Sequence, residues 1–177
     1  MHTSLKPNHS RMGFTLGEVM SSLAILSLVI TAAALTYTMS IRIWRAASAR
    51  IDASSSASTA LTRCTMGAGS GFGLRAAFQP VLITSDDDNW QIRFTTPAGM
   101  SGDATTTNAL SYDAAARTIT YQSGGEAPTI IGRNIVESPV PLQTSDAITI
   151  TVRAQARTGY TNVVREMSTA ITPRNRS

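Results

Sequence analysis

Histidine and cysteine, the side chains that most often carry metal or nucleophilic chemistry, are almost missing from this chain of 177 residues. The single thiol, Cys64, can neither close an internal disulfide nor by itself make a zinc site. Both histidines, His2 and His9, lie in the first ten residues. Lysine occurs once, as Lys6; the other basic residues are arginines scattered singly. A formal charge of +4 spread in this way is poor ground for nucleic-acid binding. Proline is missing between Pro7 and Pro80, glycine between Gly17 and Gly67, and every Asp, Glu, Lys, Arg and His between Glu18 and Arg42. With 42% hydrophobic and 15% charged residues, the chain is not of the disordered class, and its length suits one domain of ordinary size.

The gap in charge marks the most distinctive segment. Residues 1–13 are polar and carry Lys6 and Arg11; Phe14-Thr15-Leu16-Gly17-Glu18 then leads into an apolar run over 19–41. As a helix that run spans roughly 34 Å, enough for a hydrocarbon core of about 30 Å. Three layouts compete for it. A cleaved secretory signal has a small-residue site in Ala32-Ala33-Ala34, but cutting there leaves Leu35, Tyr37, Met39 and Ile41 as a new apolar start. A permanent anchor explains the length but gives no reason for Gly13-Phe14, or for a carboxylate at the edge of a region where burial is costly. The third layout removes only the polar leader.

Gly13-Phe14-Thr15-Leu16-Gly17-Glu18-Val19 resembles the processing site of type IV pilin and type II secretion pseudopilin precursors. The resemblance implies cleavage between Gly13 and Phe14 by a prepilin peptidase, N-methylation of Phe14, and an assembly role for Glu18, the fifth residue of the cut chain. It departs from the family at Gly17, where a large aliphatic residue is usual and where glycine weakens the helix by up to about 1 kcal/mol relative to alanine. The spacing has physical sense of its own. A new amine at Phe14 and the carboxylate of Glu18 sit one helical turn apart on an apolar rod. When rods pack side by side, the amine of one subunit can neutralise Glu18 of its neighbour, because an unpaired charge there is costly. Positive charge does not settle orientation, since Arg42, Arg45 and Arg50 follow the span as closely as Lys6 and Arg11 precede it. The resemblance implies a single-pass inner-membrane protein with its C-terminal part outside the cytoplasm, later drawn into a filament. The implied partners are the prepilin peptidase, other pilin or pseudopilin subunits, an inner-membrane assembly platform and membrane lipid.

Beyond the span the helical pattern continues. Ile43, Ala47, Ile51, Ser54, Ala57, Leu61 and Cys64 recur by threes and fours, which predicts one helix from about Phe14 to about Met66 with a stripe that packs on a sheet. Trp44 suits either a membrane–water interface or a helix–sheet contact. From Trp90 the period becomes two: Trp90, Ile92 and Phe94; Ile119 and Tyr121; Ile148, Ile150, Val152 and Ala154 alternate with polar residues. Residues 110–112 and 118–122 flank a short connection and predict a hairpin; 129–131 and 160–164 are weaker strands. Pro139 and Pro141 interrupt the order. The expected fold is α+β, a long N-terminal helix on a small antiparallel β-sheet. The expected organisation is a leader over 1–13, a transmembrane or filament-core helix over 14–41, an amphipathic continuation with a glycine-rich turn over 42–78, and a β-rich domain over 79–177. The tail Pro173-Arg174-Asn175 also looks like that of many prepilin-type proteins.

No enzyme declares itself. Asp86-Asp87-Asp88-Asn89 is the one acidic cluster; it lacks the alternating spacing of a calcium loop and is expected to be a solvated turn. The glycine run over 66–73 fits no phosphate loop and is expected to stop the helix. There is no G-x-S-x-G, and removal of the leader would leave no histidine to act as a base. Cys64 falls on the helical stripe and is expected to be a small buried hydrophobe. No cofactor and no metal site is expected. The reading is a minor pilin or pseudopilin precursor; the alternative is a signal-anchored extracytoplasmic binding domain that does not polymerise.

Overall fold

A computed structural model describes residues 14–69, 71–98, 104–159 and 161–174. The chain divides into two compact units, the first ending at Trp44 and the second beginning at Arg45. One helix, α1 (Leu16–Met66), contributes to both. Its length follows from the sequence gaps, because neither proline nor glycine interrupts 18–66. It stops where the first glycine arrives. The Gly67 amide donates to the Arg63 carbonyl at 2.8 Å, and Gly67 adopts φ +99. A Cβ there would collide with the Gly71 carbonyl oxygen, so glycine is required at this helix stop.

The N-terminal part of α1 contains an 18-residue window of mean hydropathy 2.1, none of it buried within the chain, and is long and apolar enough to cross a membrane. Several of its hydroxyls are satisfied internally. Ser27 donates to the Ala24 carbonyl at 2.8 Å, Thr31 to Ser27 at 2.8 Å and Thr36 to Ala32 at 2.9 Å. Such back-bonding removes much of the cost of placing a hydroxyl in lipid.

The second unit packs the C-terminal part of α1 against two antiparallel sheets. Strands β1 (Phe78–Asp86), β2 (Asn89–Pro97), β3 (Thr105–Asp113), β4 (Thr118–Ser123) and β5 (Thr129–Arg133) form the first, in sequence order. The second is made of β6 (Ile135–Glu137), β7 (Leu142–Gln143), β8 (Ile148–Thr158) and β9 (Thr161–Ile171). There β9 pairs along the whole of β8, while β6 and β7 pair with short stretches of it. The α+β architecture expected from the sequence is present, and its strands divide between two sheets. The period-two residues are the core: Trp90, Ile92, Phe94, Ile119, Tyr121, Ile148, Ile150 and Val152 are all buried. Each large apolar side chain removed from water there contributes about 1.5–3 kcal/mol.

The helix face differs from the expected stripe in its first half. Ala49, Ala53, Ala57, Ala60, Leu61 and Cys64 are buried, whereas Ile43 and Ile51 are 63% and 68% exposed. Backbone approach explains the shift. A Cβ added to Gly132 in β5 would lie 2.9 Å from the Ala60 Cβ, so helix and sheet meet where both carry almost nothing. Small residues therefore face the sheet and the bulky Ile51 points away. Trp44 is 70% exposed.

A buried hydrogen-bond chain joins the sheets. The Trp90 indole in β2 donates to the Ser138 carbonyl at 2.9 Å, and the Ser138 hydroxyl donates to the Thr151 carbonyl in β8 at 2.8 Å. The Trp90 and Tyr112 rings lie 6.1 Å apart, and the Tyr112 hydroxyl donates to the Ile135 carbonyl at 3.3 Å.

Candidate functional site

Of the three residues that the N-terminal motif singles out, Gly13 lies outside the described residues, as does the whole leader over 1–13. Phe14 is 85% exposed and precedes the helix. Glu18 occupies the third position of α1 and turns back on the residue before it. The Thr15 amide donates to Glu18 Oε2 at 2.9 Å, the Thr15 hydroxyl donates to the same oxygen at 3.1 Å, and the Glu18 amide donates to the Thr15 hydroxyl at 3.3 Å. This is a capping box, in which threonine and glutamate satisfy each other's orphan amides at a helix start. Thr15-x-x-Glu18 is its signature, and it stands in the sequence beside the processing motif. Position 18 thus combines a cap with a carboxylate one turn from Phe14.

Elsewhere the candidate residues take ordinary structural roles. Asp87 and Asp88 form the tip of the β1–β2 hairpin, where Asp86 pairs with Asn89 and all three aspartates are exposed. Among the described residues no group of three His, Cys, Asp or Glu side chains is placed to hold a metal ion. Cys64 is fully buried, and desolvation pushes its thiol up to about 12, so the thiolate that reacts or ligates is inaccessible near neutrality. The expected 113–117 connection is a turn between β3 and β4, tightened by the Ala116 amide donating to Asp113 Oδ1 at 2.9 Å.

One polar cleft, of about 680 Å³, has no counterpart in the sequence pattern. Asp52 from α1, Arg117 at the end of the β3–β4 turn, Asn134 between β5 and β6, Gln155 and Arg157 from β8, and Asn162 from β9 line it. Arg117 and Asn134 both have positive φ, 54 and 58. Asparagine tolerates that region; for arginine it costs roughly 1–2 kcal/mol. The main chain holds both in place: the Ile135 amide donates to the Arg117 carbonyl at 3.0 Å, and the Gln155 amide donates to the Asn134 carbonyl at 2.8 Å. Among the described residues neither Arg117 nor Asp52 forms an ion pair or a side-chain hydrogen bond; the pairs present join Arg153 to Glu137 and Glu166. Arg157 donates from Nε to the Gly159 carbonyl at 3.3 Å. The signal available in the sequence was weak: an arginine closing a short hairpin turn where glycine or asparagine is usual.

None of the family models, curated proteins and solved structures compared with the chain matches it.

Proposed function

We propose that this chain is the precursor of a minor pilin or pseudopilin. A prepilin peptidase removes residues 1–13 and methylates Phe14; the apolar helix rests in the inner membrane, then joins the core of a type IV pilus or type II secretion pseudopilus-like filament. The function is assembly, not catalysis. The single observation that carries this reading is the constellation Gly13-Phe14 and Glu18 at the head of an apolar helix that continues into a β domain. The exposed span supports it further, because an apolar surface of that length needs lipid or other helices around it.

Glu18 has a defined part in this scheme. In the monomer its carboxylate accepts from Thr15. In the filament it also faces the amine of a neighbouring Phe14, which fixes the axial register of the two subunits. The lack of a cysteine pair favours a pseudopilin over the pilins that close a C-terminal loop with a disulfide. The reading is tested by intact-mass analysis of the membrane fraction. A chain beginning at N-methylated Phe14 is expected; a chain beginning at Met1 would overturn it and leave the signal-anchored binding domain, and one beginning at Leu35 would overturn it in favour of a cleaved secretory signal.

A further inference from the structure

We propose that the cleft bounded by Asp52, Arg117, Asn134, Gln155, Arg157 and Asn162 is a binding site for a carboxylate that carries an ammonium or hydroxyl donor nearby. The inference rests on the second unit alone and is independent of the filament reading, since an uncut chain has the same cleft.

Three observations converge on it. Arg117 and Asp52 both line the cleft yet stay unpaired among the described residues, so charges of both signs remain available to a ligand. Arg157 uses Nε on the Gly159 carbonyl, which fixes one edge of its guanidinium and leaves the terminal nitrogens to donate. The side-chain amides of Asn134, Gln155 and Asn162 add neutral donors and acceptors, and about 680 Å³ is the volume of a small-ligand site. The positions are also pre-set. Arg117 holds a backbone conformation suited to glycine, and the main-chain bonds from Ile135 and Gln155 tie it and Asn134 to the second sheet. A strained arginine held at a cleft points to a site.

The charge balance selects the ligand class. Two guanidinium groups against one carboxylate leave a single net positive charge, which suits one carboxylate; the second charge of a phosphate would meet Asp52. Asp52 instead accepts a hydrogen bond from a donor on the ligand. An acidic or C-terminal residue of a peptide and a free amino or hydroxy acid share this chemistry.

The test uses the full chain in nanodiscs of neutral phosphatidylcholine, with a Gly-Ser-Glu peptide amide, which has one carboxylate and a hydroxyl donor beside it, labelled with an uncharged BODIPY dye and followed by anisotropy. Saturable binding below about 1 mM is expected. Arg117→Gly and Arg157→Gln should each weaken it by about tenfold or more. Arg117→Gly suits the local backbone, so its melting temperature should match or exceed that of the parent, which separates ligand contact from folding. Competition by L-glutamate at equal carboxylate concentration would assign the site to free small acids, and its failure to compete would assign it to acidic peptide segments; both outcomes support the site. Lack of saturable binding, binding undiminished in both arginine variants, inorganic phosphate competing better than L-glutamate, or binding confined to phosphatidylglycerol vesicles would overturn it.

Discussion

A glutamine at position 18 would separate the cap seen at the helix start from the proposed pairing with a neighbouring amine. Glutamine serves the third position of a capping box nearly as well as glutamate, because its side-chain oxygen still accepts from the Thr15 amide. It cannot neutralise an amine. Glu18→Gln should therefore keep the helix start and permit leader removal, yet impair filament incorporation about as severely as Glu18→Ala. Immunoblotting of sheared filaments against the processed membrane pool measures this; normal incorporation of the glutamine variant would reduce Glu18 to a cap. Gly17 lies inside the same first turn, and a methyl group added there would meet nothing within 4 Å, so its departure from an aliphatic residue leaves the cap untouched.

At the scale of elements, the contact between α1 and β5 depends on two missing side chains. Gly132→Ala would bring its new methyl group to 2.9 Å from the Ala60 Cβ and 3.5 Å from the Ile119 Cβ. Overpacking of this kind costs about 1–3 kcal/mol. Ala60→Gly should restore part of the loss despite its own helix penalty of about 1 kcal/mol, giving a positive coupling in chemical denaturation. Additive losses would mean that helix and sheet do not meet at this pair.

The same contact shows why some elements are legible in the sequence and others are not. Strands β2, β4 and β8 alternate cleanly because one face packs on the core while Gln91, Arg93 and Thr120 look outward. The helix end is legible because Gly67 is the first glycine after Gly17. The upper helix misleads because periodicity gives weight to bulk, and here the large residues Ile43 and Ile51 are the exposed ones. Strand β1 gives no signal: it is an edge strand that contains Pro80 and buries only Val81 fully. The cleft escapes because its residues come from α1, a turn, a connection and two strands, a grouping that only the tertiary fold creates. At the N-terminus the processing motif is legible and overshadows the Thr15-x-x-Glu18 capping signature that lies within it, whose two halves the hydrogen bonds bring out.

Taken whole, the chain joins two kinds of hydrophobic surface. The first unit exposes its apolar side chains, Leu23, Ile25, Leu28 and Val29 among them, while the second buries Phe94, Leu110 and Ile150 among others in a core of its own. A polypeptide beginning at Arg45 retains that core and its hydrogen bonds, and should fold cooperatively as a soluble species with two-state denaturation. Circular dichroism with thermal melting checks this; a molten or aggregated product would show that the second unit depends on the span. The two tryptophans divide in the same way. Trp90 sits buried with its indole N–H on Ser138, whereas Trp44, the last residue of the first unit, is exposed. The chain thus carries two built-in optical probes: the emission of Trp90 follows the integrity of the joined sheets, and that of Trp44 reports the solvent, lipid or neighbouring helix around the top of the span.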